Sequence, residues 1–375
     1  SGSWGDYDND GFVDLFISTK NEGGKLYHNN GIGNFVEIIP PDSLIGDQMI
    51  QSASWIDYDN NGLLDLFIST RDGVLISNDN NCNDGDCQFT NINILWGSYQ
   101  HPSWADIDND GDLDHIAIDD QHNFIYLQNN DSTFTQKYYN HAVPNDINLG
   151  SPNIISGSSI ADVDNDGDLD ILILRTSGDN TLLLNNGDEN NNGLYNVSFE
   201  KVSLDLFYDQ TSENSITSSW GDYDNDGDLD LFIGNDQFSN YLYNNNGDGT
   251  FEKVQDGVVN NNEGLEDEYC ASSSSSWGDY DNDGFLDLFV VNYCDDPFVL
   301  QDNVDVTSFL YHNNGDGTFE KILDGDVAND NGLSTSASWV DYDNDGDLDL
   351  FVTNEFKNYL YENYGNENHW INIKL

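Results

Sequence analysis

Nine-residue segments of the pattern Asp-x-Asp-Asn-Asp/Asn-Gly-x-x-Asp begin at Asp6, Asp57, Asp106, Asp162, Asp222, Asp279 and Asp341. Acids at positions 1, 3, 5 and 9 are hard oxygen donors. The backbone carbonyl at position 7 is another, and glycine at position 6 lets the chain turn tightly around one ion. The side-chain donors are Asp6, Asp8, Asp10 and Asp14 in the first copy and Asp57, Asp59, Asn61 and Asp65 in the second. In the third and fourth copies they are Asp106, Asp108, Asp110 and Asp114, then Asp162, Asp164, Asp166 and Asp170. The last three copies supply Asp222, Asp224, Asp226 and Asp230; Asp279, Asp281, Asp283 and Asp287; and Asp341, Asp343, Asp345 and Asp349. Four or five protein oxygens on a flexible loop suit calcium, whereas magnesium demands a smaller, stiffer octahedron and keeps several waters. About seven calcium ions are therefore expected. Without a cation, three or four carboxylates would be held close together in each of the seven copies, at a repulsive cost. Asn61 keeps an oxygen but removes a charge, so the second loop is expected to bind most weakly.

These loops are not EF-hands. An EF-hand ends in a bidentate Glu at position 12 and is flanked by helices. Here position 12 is Ile17, Ile68, Ala117, Ile173, Ile233, Val290 or Val352, so the ligand set ends at position 9.

The elements that must position the loops are strands. A Trp stands two residues before the first Asp at Trp4, Trp55, Trp104, Trp220, Trp277 and Trp339, with Ile160 in the fourth copy. After each loop comes a short apolar run such as Leu229 to Ile233, bounded by Gly, Asn and Asp, which reads as a strand. A third segment, such as Tyr241 to Asn244, leads into an Asn-Asn-Gly turn. A fourth opens on Phe35, Phe89, Phe134, Phe199, Phe251, Phe319 or Trp370. Four strands recurring seven times, at spacings of 49 to 62 residues, predict an all-β seven-bladed β-propeller. Its blades are four-stranded and antiparallel, with a calcium loop in each first hairpin, and residues 1–375 are expected to form one domain. The Trp-bearing strand is expected innermost, its ring packed between neighbouring blades. The loops and the Asn-Asn-Gly turns should share one face.

Seventy acids against 10 Lys and Arg give a net charge of -60, which leaves nothing to neutralise phosphates and excludes nucleic acid as a partner. No stretch of about 20 apolar residues is present, so no membrane span is expected. Cys82 and Cys87 bracket a short loop, and Cys270 and Cys294 flank the sixth calcium loop symmetrically. Two such pairs favour disulfides and a secreted, extracellular or cell-surface protein; four buried free thiols are the alternative. The sequons at Asn130 and Asn196 are weak support, since an Asn-rich chain makes them by chance. The chain opens at Ser1 without a Met or a signal-like segment, as a processed start or a fragment would.

The segment Ser-Ser-Trp-Gly-Asp-Tyr-Asp-Asn-Asp-Gly-Asp-Leu-Asp-Leu-Phe, residues 218 to 232, resembles the FG-GAP/VCBS repeat also found in integrin α subunits, and the match spans essentially the whole chain. The resemblance implies a seven-bladed propeller, secretion, and calcium in the hairpin loops of one face. In integrins only some blades carry such loops. All seven carry them here, so the integrin partner role does not transfer residue by residue. The ending Asn368 to Leu375 resembles the opening of the ASPIC/UnbV module, which implies a natural chain continuing past Leu375.

Three function classes follow. A calcium-stabilised extracellular module for protein binding, adhesion or assembly is favoured, because every repeated feature serves fold and metal. A carbohydrate-binding lectin is the alternative, and a polysaccharide lyase or hydrolase is less favoured. No catalytic residue stands out. His28 and His312 occupy matching repeat positions, which points to packing, and a lone His115 is more often structural. The distance from the fourth-strand aromatic to the next loop varies from 17 to 28 residues while the loop word never varies. A protein or glycan ligand is therefore expected on the face opposite the calcium loops, near the Tyr293 to Thr307 insertion. Exposed aromatics there, Tyr99, Tyr138, Tyr139, Phe207, Tyr208 and Tyr269 with His101, either stack on a ligand or anchor long loops. Insertions at Cys82 to Cys87 and Asp188 to Tyr195 should decorate the calcium face, and calcium-bridged self-assembly is a further possibility.

Overall fold

The computed structural model describes residues 1–19, 23–38, 50–70, 73–78, 89–92, 103–118, 123–129, 133–138, 155–187, 197–202, 214–236, 239–254, 259, 270–294, 308–327, 333–355, 357–365 and 370–373. They form seven four-stranded antiparallel sheets, each with its strands in sequence order, the blades of a seven-bladed β-propeller. Blade 1 comprises Gly2–Gly5, Asp14–Thr19, Gly23–Asn29 and Phe35–Ile38. Blades 2 to 7 span residues 52–92, 103–138, 155–202, 215–253, 270–321 and 334–373. The last strand, Trp370–Ile373, completes blade 7 by pairing with Tyr359–Asn363.

Two compact units divide the chain, residues 1–139 with 340–346, and residues 140–339 with 347–375. The first holds blades 1 to 3 and the loop of blade 7, and its core fills the joints between blades 1 and 2 and between blades 2 and 3. Residues of blades 4 and 5, 5 and 6, and 6 and 7 form three such cores in the second.

Burial within a blade explains the sequence pattern. The second strand of blade 5, Asp230–Asn235, is buried at every position because both of its faces meet apolar neighbours, so it reads as a continuous apolar run rather than an alternating one. The Trp-bearing first strand lies at one edge of each sheet and is only partly buried, which accounts for its serines. Those serines bond between blades, Ser159 to Ser218 at 2.9 Å and Ser219 to Ser275 at 2.8 Å.

The tryptophans pack between blades, as expected. Trp55 stacks on Tyr7 of the preceding blade at 5.6 Å, Trp277 on Tyr223 at 6.3 Å and Trp339 on Tyr280 at 6.2 Å, all within 12° of parallel. The indole nitrogens donate to the preceding blade's backbone, Trp55 to Ser3 at 3.2 Å and Trp339 to Ser276 at 3.1 Å. The indole needs glycine beneath it. A Cβ on Gly5, Gly221 or Gly278 would stand 2.7, 2.8 or 2.7 Å from Trp55, Trp277 or Trp339. Gly221→Ala should therefore prise blades 5 and 6 apart locally and cost about 1–3 kcal/mol, the usual range for overpacking. Thermal denaturation reads this directly, and an unchanged melting temperature would contradict the close approach.

Candidate metal centre

Each first hairpin turns through the nine-residue word by the same hydrogen bonds. The first Asp of every word receives the amides of positions 5 and 6 on its two oxygens, as Asp10 and Gly11 donate to Asp6 at 3.0 Å. The same pair occurs at Asp57, Asp106, Asp162, Asp222, Asp279 and Asp341. Glycine at position 6 has φ between 85° and 97° in all seven copies, the conformation for which the sequence reserves it. Asn at position 4 is also left-handed, at φ of 56° to 60°, which a short amide side chain tolerates. Position 12 is buried in every copy, so it supplies no ligand.

The ninth residue differs from the others. Asp14, Asp65, Asp114, Asp170, Asp230, Asp287 and Asp349 are at most 1% exposed. Their carboxylates latch the blade from inside. Asp230 accepts the amide of Tyr223 at 3.1 Å and the third-strand amide of Asn245 at 2.9 Å. Equivalent pairs hold Asp14, Asp65, Asp114, Asp170 and Asp287, and Asn363 donates its amide to Asp349 at 2.8 Å. Burial, the largest influence, pushes the carboxyls of Asp14, Asp65, Asp114, Asp170, Asp230 and Asp287 up to about 7.

The expected ligands do converge. Asp6, Asp8 and Asp10 bring oxygens within 4.8 Å of one another, as do Asp57, Asp59 and Asp65, and Asp106, Asp108 and Asp114. In the seventh word Asp341, Asp343 and Asp345 belong to the first compact unit and Asp349 to the second. The position-3 carboxylates point to a missing partner. Both oxygens of Asp108, and one each of Asp164 and Asp281, are buried without a hydrogen-bond partner. Such orphans are rare in a folded interior. Burial, followed by the neighbouring acid at position 5, raises the carboxyls of Asp8, Asp108, Asp164, Asp224 and Asp281, that of Asp108 to about 6. A bound cation would satisfy those oxygens and reverse the shifts, so the donor set fits a hard divalent ion.

The structure corrects one expectation and adds one set of residues. His28 and His312 do more than pack: the Nδ1 of His28 lies 3.1 Å from Asp14 and 3.5 Å from Asp8, and that of His312 lies 3.2 Å from Asp287 and 3.3 Å from Asp281. Both are on the third strand, which passes directly beside the loop, and sequence spacing alone hides that proximity. The added set is Asn29, Asn78, Gln128, Asn245, Asn313 and Asn363, whose side-chain amides donate to the position-2 carbonyl of the preceding word at 2.6 to 2.8 Å. The sequence signal for this set is an amide residue closing the third strand of every copy. His115 is enclosed by Trp104, Phe67 and Tyr126, and burial drives its pKa down to about 3. The third turns lie against the loops, as expected: a Cβ on Gly31 would meet Phe12 at 2.4 Å, and one on Gly365 would meet Asp347 at 2.6 Å. The insertions at 82–87, 188–195 and 295–307, the linker aromatics at 99, 139, 207, 208 and 269, His101, Asn130 and Asn196 lie outside the described residues, as does the side chain of Tyr138.

A family model for the FG-GAP-like repeat matches residues 6–68, 106–173, 162–233, 222–290 and 294–352. The chain belongs to the FG-GAP-like repeat family. Its matched segments begin and end in the aspartate words and the apolar strands that follow them, and the ASPIC/UnbV resemblance at the end gains no support. No curated protein matches the sequence. Among solved structures, an Agrocybe aegerita lectin that recognises non-reducing terminal N-acetylglucosamine is 20% identical, with a TM-score of 0.58 over 88% of this chain and 80% of that one. The BP39L lectin of Burkholderia pseudomallei is 10% identical, with a TM-score of 0.61 over 99% of this chain and 98% of that one. At these identities the likeness is one of fold. Among the described residues of the FG-GAP-like chain, no helix is long and apolar enough to cross a membrane.

The raised carboxyls set a pH signature. A group whose folded pKa rises from 3.8 to about 7 contributes stability that is complete below 3.8 and lost as the pH climbs through about 7. In chelator, the melting temperature should fall between about pH 4 and pH 7, because ionised carboxylates are then left buried without a cation. Calcium should stabilise the protein more at the upper end of that window than at the lower. A metal-free melting temperature that holds steady or rises would sink this account.

Proposed function

We propose that this FG-GAP-like chain is a calcium-fastened extracellular recognition propeller whose ligand is a glycan. The orphaned position-3 oxygens carry the metal half of the reading, because seven such loops without cations would leave buried, mutually repelling carboxylates. Asp and Asn oxygens at the loops supply a calcium-type ligand set: Asp6, Asp8, Asp10 and Asp14 in the first blade and their counterparts in the others, with Asn61 weakening the second. The metal's part is structural. It neutralises the loop, and the hairpin then holds the third strand and the neighbouring blade in place.

The ligand class is supported by two lectins of similar fold. Recognition is assigned to the face opposite the loops, where the links between blades vary in length. A non-enzymatic role follows from the same division of labour, in which every repeated acid serves the hairpin. A glycan array probed with the calcium-loaded protein should give selective binding that disappears in chelator together with the fold. An array without a single bound glycan, alongside specific capture of a protein partner, would replace the glycan by a protein ligand.

Secretion rests on the cysteines. The backbone register places Cys270 directly opposite Cys294 across the sixth hairpin, the alignment that a cross-strand bridge requires. Non-reducing mass spectrometry should find these two linked, and Cys82 linked to Cys87. Four alkylatable thiols would contradict the extracellular assignment.

A further inference from the structure

The residue before the third-strand amide is His28, Ser77, Leu127, Leu184, Asn244, His312 and Glu362 in the seven copies. It is the one slot beside the loop that the repeat leaves free. In blade 5 Asn244 fills it and donates to Asp224 at 2.8 Å, so the slot reaches the position-3 carboxylate. In blades 1 and 6 the slot holds imidazole, and the donor atoms of Asp8, Asp14 and His28, and of Asp281, Asp287 and His312, lie within 4.8 Å of one another.

The geometry points to two mixed nitrogen–oxygen sites that take zinc, in blades 1 and 6, beside oxygen-only sites elsewhere. Imidazole suits zinc, whereas calcium takes oxygen ligands. The four Nδ1-to-carboxylate separations are 3.5, 3.1, 3.3 and 3.2 Å. A tetrahedron with zinc bonds of about 2.0 Å has edges of about 3.3 Å. In blade 6 the Nδ1 of His312 is buried and makes no hydrogen bond, although carboxylate oxygens of Asp287 and Asp281 lie 3.2 and 3.3 Å from it. In blade 1 the side chains of Asp8, Asp14 and His28 are 4, 0 and 7% exposed. Both rings are held alike, edge-on to the position-2 tyrosine at 6.3 Å, Tyr7 in one blade and Tyr280 in the other. The amide bonds to Asp14 and Asp287 fix those carboxylates as outer-shell partners commonly do for metal ligands. Two blades with four others between them in sequence thus repeat one arrangement that the remaining five lack.

This inference rests on the metal-loaded hairpins proposed above, and the test separates the two. The full chain, held in excess calcium, is exposed to zinc, desalted and analysed for both elements. The expected result is two zinc ions per chain, one lost in His28→Asn, one lost in His312→Asn and both lost in the double variant, with calcium at the other blades unchanged. Asn is the residue that blade 5 carries at this position, so the variants should fold, and circular dichroism checks that they do. Cobalt in place of zinc gives a second readout, a visible absorption expected in the parent and absent from the double variant. Zinc retained equally by parent and double variant, or no zinc in the parent, overturns the proposal. Calcium absent throughout while the histidine-dependent zinc remains would overturn the calcium reading and leave this one standing.

Discussion

A carboxylate buried in the middle of a β-blade is the constraint on which the rest of this structure depends. The ninth residue of each word has no solvent to ionise into, so the fold must bring it donors and charge. Two backbone amides answer the first need, one from the second residue of the loop and one from the end of the third strand. They tie the first hairpin to the strand beyond it, and they do so at the same relative positions in blades 1 to 6. The loop is thus not an appendage to the sheet. Its last ligand residue is the first residue of the second strand, and the turn and the sheet share one carboxylate.

That sharing makes the loop a joint between blades. The second residue of six words, Tyr7, Tyr58, Val163, Tyr223, Tyr280 and Tyr342, offers its carbonyl to the third-strand side-chain amide of another blade, and Tyr7, Tyr58, Val163, Tyr223 and Tyr280 also give their own amides to the buried carboxylate of their own word. The fourth residue makes a parallel link near the rim: Asn9 donates to Gly62 at 3.2 Å, Asn225 to Gly284 at 2.9 Å and Asn344 to Gly11 at 2.8 Å. A cation held in one loop would therefore brace two hairpins, its own and its neighbour's. Coupling of this kind spreads through nearest neighbours, as in other repeat architectures.

Repetition is what makes the fold legible in the sequence. Period, strand chemistry and turn residues all point to four strands seven times, because each blade must solve the same packing problem with the same local signals. The loop ligands are legible for the same reason. Contact between copies is not. Nothing in the spacing of Asn245 says that its side chain reaches Val163, 82 residues earlier, or that Gly221 is small because Trp277 lies on it. His28 and His312 read as packing residues because matching positions in a repeat do suggest packing. Only the strand geometry shows that this position faces a carboxylate pair.

Charge accounting explains why the slot before the third-strand amide is where copies can diverge. Ten Lys and Arg cannot neutralise 70 acids, and three of those lysines lie over aromatic rings, Lys253 on Tyr241, Lys321 on Phe309 and Lys357 on Tyr359. Positive charge to offset the loop carboxylates would then come largely from solution. Most loop positions are committed: one, five and six to the turn, two and four to the neighbouring blade, nine to the third strand. A change there would disturb packing as well as binding. The slot borders the ligand cluster without bonding the next blade, so a serine, leucine, asparagine, glutamate or histidine can occupy it while the hairpin keeps its shape. Divergence among the seven copies is consequently concentrated at a position beside the carboxylate cluster, and the scaffold is spared.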